Sequence, residues 1–164
     1  MASAHNHTER IALAGEVARY LGAASILVVG AIHAQQYYDA YFSVVPTIGT
    51  LFLLNVVGAG AAGLVLLAPV RLLGRRLGDA IFALAALAGI AVAVGSFAAL
   101  LISEYQPLCG FMEFGYRLAI VLSLLFEGVA ALLLSVFLAT LALQHRRRDR
   151  RAPTHRVPAL GGAA

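Results

Sequence analysis

The chain has 164 residues, 61 % hydrophobic and only 12 % charged, with a formal net charge of +4 and a mean hydropathy of +0.86. A soluble domain runs at roughly 45–50 % apolar and 25 % charged, so one water-facing fold has no means of hiding this much apolar surface. All twelve basic residues are arginine; a GC-rich genome accounts for that bias, and because the arginines flank apolar segments, with no stacking platform or basic recognition helix, they read as membrane anchors and not as nucleic-acid contacts.

Residues 1–16 are polar and read as a loose N-terminal tail, in which the His5 and His7 pair is a solvated feature and not a metal site. The first apolar segment covers residues 17–34, with Arg19 near enough to one end to extend its guanidinium into the headgroups. It lacks the small-residue exit of a cleaved signal and further spans follow, so it reads as a retained helix.

A polar, aromatic corner at residues 35–46 leads into the second span, 46–70, where Pro46 suits a first helical turn. Gly58 to Gly63 reads Gly-Ala-Gly-Ala-Ala-Gly, a literal match to a dinucleotide-binding fingerprint. That motif needs a strand before it and a soluble βαβ unit, and here it lies inside an apolar run, where small residues serve close helix approach instead.

A short basic connection at 71–79 precedes the third span, 80–102, which carries Ala85, Gly89, Ala93 and Ser96 at helical spacing as a small-residue stripe. A second polar corner, 103–117, leads to the fourth span, 118–143. From residue 145 onward the chain is a basic tail, read as disordered and attracted to anionic inner-leaflet lipid.

Four stretches of about 20 residues suit a hydrocarbon core of about 30 Å, and only helices satisfy their own backbone there, so the fold class is an all-α transmembrane four-helix bundle. Eleven arginines fall on one side and Arg117 alone on the other. Both termini and the 71–79 loop are therefore expected in the cytoplasm of a multi-pass inner-membrane protein, with the tyrosine-rich corners outside.

Depth then locates a candidate site. At about 1.5 Å per residue, Glu127 lies roughly 15 Å and Asn55 roughly 13 Å below the outer helix ends, with Ser25 and Ser96 at similar depth. Glu113, Tyr116, Ile120, Ser123 and Glu127 share one stripe at i, i+3 and i+4 spacing, a track leading inward. A carboxylate at mid-membrane costs on the order of 3 kcal/mol, so Glu127 faces the interior and is protonated or partnered. It is read either as a proton-titrating or ligand-contacting acid or as an interhelical packing bond. Ser25 and Ser96 are expected to bond their own helix carbonyls.

His33 stands within a turn of the outer surface beside Tyr38 and Asp39, opposite Glu113 and Arg117, which are read first as an i, i+4 ion pair. Glu104, Cys109, Met112 and Glu113 could build a metal site with His33, in which the Cys and Met would suit a soft metal such as copper, but no C-x-x-C, H-x-x-x-H or M-x-x-x-M spacing supports one, and no cofactor motif appears. Cys109 is the only cysteine, so it is a free thiol or a link to another chain.

A histidine ending the first helix, Val-Pro-Thr-Ile-Gly-Thr-Leu-Phe-Leu-Leu-Asn at 45–55 and Gly-Phe-Met-Glu-Phe-Gly-Tyr-Arg at 110–117 together carry a resemblance over most of residues 20–140. The chain resembles the small uncharacterised four-helix integral membrane proteins of GC-rich bacteria, which implies the architecture and no activity. The leading functional expectation is a non-catalytic accessory subunit or small-ligand-binding protein. Its outer mouth uses His33, Tyr38, Asp39, Glu113 and Arg117 above Asn55, Ser123 and Glu127. The alternatives are a quinone-reactive redox subunit or a proton-coupled transporter using Glu127; the expected partners are the lipid bilayer and, for transport, a second copy in a homodimer or larger complex.

Overall fold

Prolines and a glycine set the helix boundaries in the computed structural model, which describes residues 2–40 and 42–151. Four helices result: α1 (Ala2–Asp39), α2 (Pro46–Leu67), α3 (Arg75–Tyr105) and α4 (Leu118–Arg151). Pro46 opens α2 after Val45, which is extended. α2 stops three residues short of the expected 70, because Pro69 disfavours helical backbone at Ala68, whose φ and ψ are −67° and 150°. A short 3-10 helix, Val70–Leu73, ends at Gly74, whose φ of 104° is open to glycine at little cost. α3 then starts at Arg75, ahead of the expected 80.

Two expectations about the ends are corrected. Residues 2–16 are not a loose tail but the first turns of α1, which places His5 and His7 within that helix. The basic tail is helical as far as Arg151; the remainder of the expected disordered segment lies outside the described residues. α1 also runs through Gln35 to Asp39, so the first polar corner shrinks to residues 40–45 with a 3-10 turn at Phe42–Val44.

All four helices are long and apolar enough to cross a membrane. They form a ring: α1 packs on α2 and α4, α3 closes against both, and α1 and α3 scarcely touch across the middle. The start of α1, the end of α4 and the 68–74 connection lie at one end, the arginine end; residues 42–45 and 106–117 lie at the other, the tyrosine end. In lipid no hydrophobic force draws apolar helices together, so close approach over small residues carries the packing. Gly63 shows this: a Cβ there would sit 2.5 Å from Leu27 Cγ on α1, and at Gly89 one would meet Leu134 Cδ1 at 2.8 Å. The Gly58–Gly63 motif is thus continuous helix, not a phosphate-binding loop.

Large side chains fill the arginine half, where Leu66, Phe82, Leu134, Phe137 and Leu141 pack around Ala18, Ala23, Ala85 and Ala86. Ile26, Val29, Ala59, Ala93 and Ala130 continue the core to mid-height. Arg19 does not reach for headgroups as expected. It is 4 % exposed, donates to the Leu66 carbonyl of α2, pairs with Glu16 at 2.8 Å and lies over the Phe82 ring. Arg71 joins Glu16 at 2.6 Å and Asp79 at 3.2 Å, and Asp79 lies 3.8 Å from Arg148 of α4. A network of charges therefore clamps the arginine ends of all four helices.

Candidate functional site

Towards the tyrosine end the large core residues give way to small and polar ones, and a cavity of about 310 Å³ opens between the helices. His33 comes from α1, Asn55 from α2, Ser96 from α3 and Ser123 from α4; Glu113 and Arg117 line it from the 106–117 connection. Its remaining surface is mainly apolar, with Phe42, Phe52 and Phe111 along one side.

The hydrogen bonds specify the imidazole. His33 Nδ1 lies 3.0 Å from the Val29 carbonyl, which only accepts, so Nδ1 carries the proton. In the neutral ring Nε2 is then an acceptor, and the Ser96 hydroxyl donates to it across 3.0 Å. Ser96 thus bridges two helices instead of closing on its own helix as expected, whereas Ser25 donates to the Leu21 carbonyl of its own helix as the sequence suggests.

Glu127 lies beside this pair, 1 % exposed. Ser123, one turn earlier, donates to its Oε1 at 2.9 Å, and the same oxygen is 3.9 Å from His33 Nε2. The second oxygen, Oε2, is buried with no hydrogen-bond partner, as are Asn55 Oδ1 and Gln36 Oε1. Asn55 continues along α2 into buried Ala59 and Ala62, the packing face expected for it. A buried acceptor without a donor is costly, on the order of 1–3 kcal/mol, and the two on the cavity's lining residues, Gln36 and Asn55, make it receptive to donors.

The structure brings together His33, Asn55, Glu113, Arg117, Ser123 and Glu127 of the expected residues, and leaves two apart. Tyr38, 70 % exposed, and exposed Asp39 end α1 away from the cavity. The inward track on the fourth helix is also shorter than expected. α4 begins at Leu118, so only Ile120, Ser123 and Glu127 follow it, and Tyr116 turns outward to donate to Glu104 at 2.7 Å. Glu113 and Arg117 do pair, at 3.0 Å, outside any helix, while the Glu113 N–H donates to the Ser103 carbonyl and ties the connection to α3.

Sequence reasoning passed over the aromatic side. Phe42 and Phe52 stack with centroids 4.8 Å apart and planes 12° apart, Phe111 meets Phe42 edge-on at 5.3 Å, and Phe52 leans on the His33 ring at 5.1 Å. Phenylalanines in an apolar segment look like ordinary core, and only the bend at residues 40–45 brings Phe42 back over Phe52. At the other corner Cys109 is exposed, with a φ of 53°, and among the described residues no three His, Cys, Asp or Glu side chains converge as metal ligands would.

No known protein family, characterised protein or solved structure matches the chain. The functional reading therefore rests on this geometry.

Proposed function

We propose that the chain is a non-catalytic membrane protein, acting as a ligand-binding or accessory subunit, that holds a small molecule in the cavity at its tyrosine end. The observation that carries this reading is the cavity floor: a polar group from each of the four helices, buried His33, Asn55 and Ser123 with half-buried Ser96, meets an otherwise apolar space large enough for a small ligand. Packing alone has no use for a void bordered by unpartnered acceptors. Organic extraction of the protein purified from its membrane, followed by mass spectrometry, tests the reading. A small molecule present in the wild type and at least about tenfold depleted in Ala99→Phe, which fills the cavity from α3, is the expected result; equal content in both overturns it.

One observation favours a second reading, proton handling. His33 Nε2 and Glu127 Oε1 are 3.9 Å apart, and the Ser96 and Ser123 hydroxyls beside them can each reverse between donor and acceptor. A proton moving between carboxyl and imidazole would suit coupled transport. Infrared difference spectroscopy in lipid, wild type against Glu127→Gln, decides it. A pH-dependent carboxyl band missing from the variant supports proton handling, and a pH-invariant spectrum with normal folding removes it.

The asymmetry of the arginines supports an inner-membrane orientation with both termini cytoplasmic, and the basic end of α4 is proposed to contact anionic lipid.

A further inference from the structure

We propose that the cavity takes a lipid-soluble molecule bearing a hydroxylated planar ring, admitted sideways from the bilayer between α2 and α3; this rests on the ligand-binding reading above and names its ligand chemistry. Three observations converge on it.

The first is what the site lacks. Asn55 is 9 % exposed, lines the cavity, and its Oδ1 has no partner; Gln36 Oε1, also on the lining residues, has none. Both are acceptors. A head group that donates a hydrogen bond satisfies them, and one that only accepts does not.

The second is shape. The stacked Phe42 and Phe52, with Phe111 edge-on, present flat and edge surfaces that suit another ring. A volume of about 310 Å³ accommodates one ring with a short chain.

The third is access. At the tyrosine end Phe42, 7 % exposed against Phe111, covers part of the cavity and the Glu113 N–H holds the connection to Ser103, so that what borders it there beside them is the charged and exposed Arg117. The side is open. Leu51 and Leu54 of α2 line the cavity yet are 43 % and 61 % exposed, and facing them α3 offers exposed Ala91 and Gly95. A Cβ on Gly95 would meet nothing within 4 Å. These surfaces face lipid tails in a spanning bundle, so the seam opens to the bilayer, and a ligand entering there is itself lipid-soluble.

Equilibrium dialysis of the full chain in lipid nanodiscs, with empty nanodiscs correcting for partition, tests this with para-pentylphenol, its methyl ether and nonanol. The phenol is expected to bind about tenfold more tightly than the ether, the effect of one hydrogen bond to a buried acceptor. Asn55→Leu is expected to abolish the phenol's tenfold preference over the ether. Gly95→Leu, which has room for its side chain at the seam, is expected to slow phenol exchange with lipid at least about tenfold, read from NMR exchange broadening.

Equal binding of phenol and ether, both above the blank, overturns the donor requirement while the ligand-binding reading stands. Nonanol binding as tightly as the phenol overturns the ring. Unchanged exchange in Gly95→Leu overturns lateral entry, and no binding of any probe overturns the proposal and the ligand-binding reading together. The ligand pairs and Gly95→Leu keep the test decisive should Asn55→Leu fail to fold.

Discussion

Ser96 satisfies a buried histidine on another helix with a single hydroxyl. Removing that hydroxyl leaves Nε2 unpaired, so Ser96→Ala is expected to destabilise the bundle by about 1–3 kcal/mol, read as a lowered thermal midpoint in detergent. Ser25→Ala, which removes only a bond within α1, is expected to change the midpoint little. Tyr116 offers a pH-dependent contact outside the spans. Its hydrogen bond to Glu104, helped by some desolvation and the carboxylate's charge, raises its hydroxyl above the ordinary value of 10.0. Because the folded value is the raised one, this bond's contribution is complete below about pH 10 and is lost as the pH climbs through the folded value. Ultraviolet titration is expected to show late tyrosinate formation that disappears in Tyr116→Phe and returns to ordinary pH in Glu104→Gln.

Between helices, contact distance is the controlling variable. α1 and α2 touch where Gly63 meets Leu27 and the Ala23 carbonyl, with no space for even a methyl group. Gly63→Ala is expected to cost about 1–3 kcal/mol through overpacking, despite the better helix propensity of alanine. Gly60, in the same motif but with nothing within 4 Å of a Cβ, is expected to accept alanine without loss. Unfolding of the two variants in parallel separates packing from propensity. The same contrast holds on α3, where Gly89 is crowded by Leu134 and Gly95 is open, so one helix seals the lower core and leaves the upper seam free.

At the scale of the whole molecule the two ends do different work. The arginine end is clamped through buried Arg19 and Asp79, and the tyrosine end carries the cavity. Removing one member of a buried ionic network strands its partner, so Asp79→Ala is expected to destabilise by about 3–5 kcal/mol. The proposed orientation has a direct test because Cys109 is the only cysteine and is exposed. A membrane-impermeant maleimide is expected to label intact cells or spheroplasts through Cys109; labelling only after the membrane is breached reverses the orientation.

The sequence by itself determined the class. Four apolar runs of spanning length admit only helices in lipid, Pro46 marked the start of α2, the cost of a carboxylate in lipid marked Glu127 as interior and the small-residue face below Asn55 did the same for it, whereas His33 read as a residue of the outer mouth and only the structure shows it buried beside Glu127. Its reach stopped where distances between helices begin. Arg19 looked like a snorkelling residue because its distance to the Leu66 carbonyl is a property of the α1 and α2 packing. Ser96 looked self-bonded because local geometry always offers that option, and the His33 acceptor that outcompetes it comes from a helix 63 residues away in the chain. Tyr38 and Asp39 shared a stretch with His33 but not its direction, since α1 ran on as helix past the expected corner. The cavity was the least legible feature: a void is the difference between side-chain volumes on four helices, and only their tertiary arrangement sets it.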